Sequence, residues 1–176
     1  MNRRLGMMCV AAVVGAVGIQ AQPATATGNA MSTELKAAYT RVKTNILKAA
    51  EKMPEENYAF KPTPDIRTFG ALVAHVADSQ TRACNALRGV TKEATAGQKT
   101  AKADIVAALK DSIADCDSAY DSLTDATAAE MVKMGQRQLT RMGALVGTVA
   151  HDNEEYGYMA VYLRLKGVVP PSSEGR

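Results

Sequence analysis

The sequence TRMGALVGTVAHDNEEYGYMAVYLRLKGVVPP, residues 140–171, carries two neighbouring apolar lines at helical spacing and no proline before Pro170. Ala144, Thr148, His151, Glu155, Met159 and Tyr162 form one line, and Leu145, Val149, Tyr156 and Leu163 form the other. Recurrence every three or four residues is the signature of one helix face, and two adjacent lines place such a helix deep among others. Thr140 is a suitable N-cap, and Gly167 followed by Pro170 ends the helix near Lys166. A helix over about Arg141–Lys166 is therefore predicted, with His151 and Glu155 one turn apart on its buried side.

Working outward, three further segments repeat the pattern. Leu35, Tyr39, Val42, Ile46 and Met53 stripe a first helix over about Thr33–Met53, behind Ser32 as N-cap and ended by Pro54. Phe69, Leu72, Val73, Val76 and Ala83 face inward from a second helix over about Phe69–Arg88, with Thr68 as its cap. Ile105, Leu109, Ile113, Cys116, Tyr120 and Leu123 mark a third over about Ala101–Leu123. The stretch TDATAAEMVKMGQRQ, residues 124–138, is less regular and reads as a connection with a short helical turn. No segment alternates convincingly as a strand and no repeat is visible. Four amphipathic helices with polar connections describe an all-α four-helix bundle.

The domain organisation follows from the N-terminus. Arg3 and Arg4 precede an uncharged apolar run from Leu5 to Ile19, the layout of a secretory signal peptide. Its length, about 15 residues, falls short of the ~20 that span a bilayer, so no stable membrane insertion is expected after processing. Residues 1–21 are read as the signal peptide, with cleavage at Ala21 or as late as Ala26. Residues 22–30 form a small, polar leader and 31–176 the helical domain, giving a periplasmic or secreted protein. Cys9 lies too early in the run, without the small residues expected just before it, to read as a lipidation site.

The chain carries 21 basic and 18 acidic residues, for a net charge of +3. Loss of residues 1–21 removes two arginines and no acid and leaves +1. The charges are interspersed without a basic stripe, which argues against nucleic acid as a partner. Cys84 and Cys116 remain after processing. In an antiparallel helix pair they would lie roughly 15 Å apart along the axis, beyond the ~7 Å that a disulfide bridges, so two buried free thiols are expected. The nine methionines show no clustered copper-binding motif and read as core filling. Phosphate loops, dinucleotide fingerprints, CxxC, GxSxG and HExxH are absent.

The chain has two histidines, His75 and His151. His75 adjoins the inward residues Leu72 and Val76 of the second helix, so both histidines face a bundle core, a common setting for metal sites. Two imidazoles and the Glu155 carboxylate suit Zn²⁺, Ni²⁺ or Fe²⁺. From spacing alone the more usual reading is core histidines satisfied by hydrogen bonds and a His–Glu hydrogen bond or ion pair at the surface. Asp78, one turn after His75, is placed to bond an imidazole or to lie solvated. Tyr156, Tyr158 and Tyr162 bring hydroxyl groups to the same helix, for packing or for orienting a substrate.

The segments TFGALVAHVAD (68–78) and TRMGALVGTVAHDNEEYGYMAVYLRLKGVVPPSSE (140–174) resemble the DinB-like family, DinB/YfiT-type metal-binding four-helix bundles. HDNEEYG followed by YLRLKGVVPPSS is the more specific part, and NYAFKPTPDIRTFG is similar to the loop before the family's first metal-bearing helix. The resemblance covers essentially the whole chain after the leader. It implies one divalent ion held by a histidine of the second helix and an H-x-x-x-H pair of the fourth. Carried over, His75 and His151 match the first two ligands, and Glu155 stands where the family usually has histidine. It further implies that Arg141 ties the preceding loop to the bundle, and that a homodimer is plausible.

Relatives of this kind include thiol-dependent transferases and isomerases, and others look like hydrolases. The expectation is an exported metal-dependent hydrolase or transferase acting on a small molecule. Glu155 serves as ligand or general base, and metal-activated water is favoured because low-molecular-weight thiols are chiefly cytosolic. The alternatives are a non-catalytic metal- or ligand-binding bundle whose site has degenerated at Glu155, and a helical protein with no small-molecule site.

Overall fold

The structure, a computed structural model, describes residues 28–175. The expected signal peptide and most of the leader lie outside the described residues. Four helices follow in order: α1 (Ala30–Lys52), α2 (Phe69–Leu87), α3 (Lys102–Asp121) and α4 (Arg141–Leu165). The Thr68 and Thr140 side chains cap α2 and α4 by accepting the Ala71 and Gly143 N–H groups. Gly167 follows α4 at φ +71°, a left-handed conformation that favours glycine.

Ser32 is not the cap of α1. It lies inside the first turn, and the carboxylate of Asp125 takes the exposed N–H groups of Met31 (3.1 Å) and Ser32 (2.8 Å) from across the bundle. A distant anion thus does the work of a local cap at the positive end of the helix. The other end of α1 is closed by a different device. Pro54 has no N–H to offer the Ala50 carbonyl, and the Tyr58 hydroxyl donates to it instead at 2.6 Å. Lys102 donates to the Glu51 and Met53 carbonyls, both at 2.8 Å.

The direction of α3 corrects the antiparallel assumption. After α2 the chain does not turn straight back in a helix. Residues 88–101 return along the bundle, held where the Asp78 carboxylate accepts the Ala96 and Gly97 N–H groups at 2.7 and 3.0 Å. Asp78 is therefore neither an imidazole partner nor simply solvated. Lys102 then starts beside the end of α1, and Ile105 lies beside Gly70 at the start of α2. Ser112 meets Gln80, and Asp115 meets Asn85. Helices α2 and α3 thus run parallel. Lys36 pairs with Asp121 and Lys110 with Glu51, so α1 is antiparallel to α3. Tyr162 bonds the Arg67 carbonyl and Arg141 the Leu87 carbonyl, so α4 is antiparallel to α2. The topology is up–down–down–up.

This arrangement overturns the expectation of free thiols. Cys84 and Cys116 lie side by side with Cα atoms 4.9 Å apart and form a disulfide, both fully buried. The estimate from antiparallel packing failed because the crossover aligns the two helices instead of folding one back on the other.

Residues 131–140 are also not a helical turn. They form an antiparallel hairpin, β1 (Met131–Met134) and β2 (Arg137–Thr140), with Val132 opposite Leu139 and Met134 opposite Arg137. Gly135 sits at φ +61° at the first position of its two-residue turn, where glycine fits a hairpin whose turn must follow the twist of the strands. Each strand is only four residues, so the alternation is too short to stand out. Val132, Met134 and Leu139 pack on the end of the bundle.

Two apolar clusters fill the interior. One contains Ile46, Phe69, Leu109, Met159 and Leu163; the other contains Tyr39, the disulfide, Tyr120 and Leu145. Gln80, Ser112 and Asp152, each fully buried, interrupt the apolar lines of their helices between the two.

Candidate metal centre

His75 comes from the middle of α2, and His151 and Glu155 from the middle of α4. Antiparallel packing of the two helices brings them to one point. The Nε2 atoms of His75 and His151 are 3.2 Å apart. Glu155 Oε1 lies 3.5 Å from His75 Nε2 and 3.6 Å from His151 Nε2. Ligands held 2.0–2.1 Å from one tetrahedral ion lie roughly 3.3 Å from each other. Three donors at the corners of a near-equilateral triangle of that size could hold a divalent ion. Glu155 is 6% exposed, yet its second oxygen, Oε2, has no hydrogen-bond partner. A buried carboxylate left so is costly unless a cation or a proton donor meets it. The two imidazoles are half-buried, leaving one side of the group open to an incoming molecule.

Behind His151 stands a residue that the sequence reading passed over. Asp152 is fully buried, and its Oδ1 lies 3.6 Å from His151 Nδ1 with no hydrogen-bond partner. Its Oδ2 accepts from Gln80 Nε2 at 2.8 Å, and Gln80 Oε1 accepts from the Ser112 hydroxyl at 2.9 Å. A chain of polar groups thus crosses from α3 through α2 to α4 and ends on the ring nitrogen remote from the triad. A carboxylate against one imidazole nitrogen keeps the proton there and leaves the other with a lone pair for a metal. Two signals in the sequence mark this chain. Asp152 is adjacent to His151, and Gln80 and Ser112 are polar residues at apolar positions of their stripes.

The two imidazoles sit in different fields. The Asp152 carboxylate raises the His151 pKa above its ordinary value, against the opposing effect of burial. Burial lowers that of His75, helped by the nearby Arg67 cation.

The remaining expected residues take other roles. Tyr156 accepts the Ser172 N–H at 2.8 Å and Tyr162 donates to the Arg67 carbonyl at 2.7 Å, so both tie down neighbouring loops. Tyr158 is exposed and donates to Glu154 at 3.0 Å. Arg141 reaches the Leu87 carbonyl at 3.4 Å and Glu130 at 3.4 Å, joining the start of α4 to the end of α2 and the loop before the hairpin. Ala83 is only half-buried and lines a cavity beside His151, where full burial was expected. Among the described residues no helix is long and apolar enough to cross a membrane.

Comparison with known proteins agrees with this architecture. The family model of the DinB superfamily matches residues 38–159, which include all three donors. A DinB-like protein from Bacillus cereus ATCC 10987 superposes with a TM-score of 0.68 at 17% identity, over 79% of this chain and 95% of that one. A DinB-like protein from Bacillus subtilis gives 0.64 at 19% identity, over 81% and 99%. A conserved protein from Enterococcus faecalis gives 0.61 at 15%, over 76% and 95%. At these identities the likeness shows the fold. No curated protein matches the chain.

Proposed function

We propose, from the premise that this chain belongs to the DinB superfamily, that it is an exported metal-dependent enzyme acting on a small molecule. His75, His151 and Glu155 hold its ion. The observation that carries this reading is the triangle of donor atoms with sides of 3.2, 3.5 and 3.6 Å, closed by a buried carboxylate with an unpartnered oxygen. The two-imidazole, one-carboxylate set suits Zn²⁺, Ni²⁺ or Fe²⁺. Such an ion would supply Lewis acidity toward a substrate oxygen, or a lowered pKa for a nucleophile.

The chain's own residues do the rest. The Asp152 carboxylate, 3.6 Å from His151 Nδ1, favours a proton on that nitrogen and leaves Nε2 toward the centre. Glu155 Oε2, buried and without a hydrogen-bond partner, would face the ion or a proton donor held beside it. The half-buried walls of α2 and α4 exclude bulk water from the other sides. Hydrolysis is favoured over thiol transfer by the proposed export. Export itself is supported by the N-terminal charge and apolar pattern and by the buried disulfide, a cross-link that persists in oxidising compartments. The homodimer expected from the family resemblance belongs to the same proposal.

Metal analysis of the purified protein tests the reading directly. One divalent ion per chain is expected, lost in both His75→Ala and His151→Ala. A wild-type protein that retains no stoichiometric ion after reconstitution removes the mechanism. Tight binding gained only in Glu155→His would identify a degenerate site and a non-catalytic bundle. N-terminal sequencing of the mature protein tests export, and an intact Met1 in a cytoplasmic fraction refutes it.

A further inference from the structure

Beside His151 a cavity of about 340 Å³ opens between α2, the first half of α4 and the hairpin. Such a volume lies in the range of small-molecule sites. Its walls are largely small or apolar: Ala83, Gly143, Ala144, Gly147, Met134 and Leu139. A Cβ added at Gly147 would meet nothing within 4 Å, and this exposed glycine lines the cavity.

The polar groups are few. The Thr148 hydroxyl donates to the Ala144 carbonyl at 3.1 Å, and Gln80 is committed to Asp152 and Ser112. What remains is His151, Arg137 and Ser79, whose hydroxyl lies 3.5 Å from the Arg82 guanidinium. Arg137 opens β2 directly across from Met134, so the hairpin carries its guanidinium to the mouth of the cavity. Among the described residues no acid lies within ion-pair distance of it, so its charge is open to a ligand.

We propose that this cavity receives the substrate and that Arg137 recognises its carboxylate, making the substrate a small monocarboxylic acid with a compact apolar body. A guanidinium presents paired donors that match the two oxygens of a carboxylate. A phosphate monoester carries about twice the charge and more acceptor oxygens, and serves as the competing probe below. The apolar walls between Arg137 and His151 would hold the body of the molecule. Its reactive end then lies at the triad, which is the part of this proposal that rests on the metal reading.

The test uses hexanoate, 1-hexanol and hexyl phosphate as probes of the purified protein, with and without zinc, followed by amide chemical shifts of Gly147 and Thr148. Hexanoate is expected to saturate, and to bind at least tenfold more tightly than hexanol, a difference of about 1.4 kcal/mol. Arg137→Met should remove that advantage and Arg137→Lys restore part of it. Gly147→Leu should abolish hexanoate binding while zinc content stays unchanged and the melting temperature does not fall. Equal binding of hexanoate and hexanol, no effect of Arg137→Met, or tighter binding of hexyl phosphate overturns the proposal. A protein that binds hexanoate but no zinc refutes the metal reading alone. One that holds zinc but shows no preference for hexanoate refutes this inference alone.

Discussion

Replacing Asp152 by Asn separates the role of the buried polar chain from that of the triad it supports. Asn is nearly isosteric with Asp and can still offer a carbonyl to Gln80 Nε2, now 2.8 Å from Asp152 Oδ2. Its amide NH₂ then replaces Oδ1, 3.6 Å from His151 Nδ1. Two donors cannot face each other, so the imidazole moves its proton to Nε2, the atom that points at His75 and Glu155. Loss of such a supporting carboxylate typically costs 10–100-fold in metal affinity, about 1.4–2.7 kcal/mol.

The metal-free protein should respond in the opposite sense. Asp152 is fully buried with one unpartnered oxygen, and a neutral amide there avoids the cost of burying a charge. Its metal-free melting temperature should therefore be equal to wild type or higher. At a fixed free zinc concentration well above both dissociation constants, zinc-induced stabilisation should shrink by the same 1.4–2.7 kcal/mol. That amounts to roughly 3–10 °C for a chain of this size. Competition with a chromophoric chelator measures the affinity, and thermal melts with zinc or a chelator measure the linkage. A variant with zinc affinity within threefold of wild type and an undiminished zinc-induced shift refutes the reasoning, as does a large loss of metal-free stability.

Three other outcomes follow from the fold. The Cys84–Cys116 disulfide spans a sequence separation of 32, so in the chain-entropy view Cys84→Ala/Cys116→Ala should lose about 3.7 kcal/mol, read by urea denaturation against the oxidised wild type. Tyr58→Phe should cost about 1–3 kcal/mol by leaving the Ala50 carbonyl, which Pro54 with no N–H cannot serve, without its hydrogen bond; Tyr156→Phe, at a hydroxyl that serves a terminal loop, is the control and should cost less. Asp115 titrates below the ordinary carboxylate range: burial alone would raise it, but Lys92, Asn85 and Arg88 outweigh that. Its contribution to stability is present above about pH 4 and fades as pH falls through its depressed folded value. Asp115→Asn should therefore flatten the acid limb of a melting-temperature profile below pH 4 while lowering stability at neutral pH.

Much of this protein is legible along the chain because its helices are amphipathic and locally capped. The two apolar lines of residues 141–166, the Thr140 and Thr68 caps and the Gly167 stop mark α4 and α2 to within a residue or two. His75, His151 and Glu155 are visible for the same reason, since helical spacing places each on an inward face. What periodicity cannot specify is direction. It gives the same signal whether a neighbouring helix runs up or down, and the parallel course of α2 and α3 depends on a crossover anchored by Asp78 on the Ala96 and Gly97 amides. That one tertiary fact puts Cys116 against Cys84 and Ser112 against Gln80. The Asp125 carboxylate on α1 and the hairpin that carries Arg137 to the cavity are likewise invisible locally, one because its partners are distant in sequence and the other because its strands are too short. The sequence by itself determined the helices and their buried faces, because these depend on neighbours within one or two turns, and the family resemblance of its segments singled out the residues of the triad. Only the tertiary structure decided the disulfide, the polar chain behind His151 and the cavity beside it, because each joins elements whose relative direction no local pattern encodes.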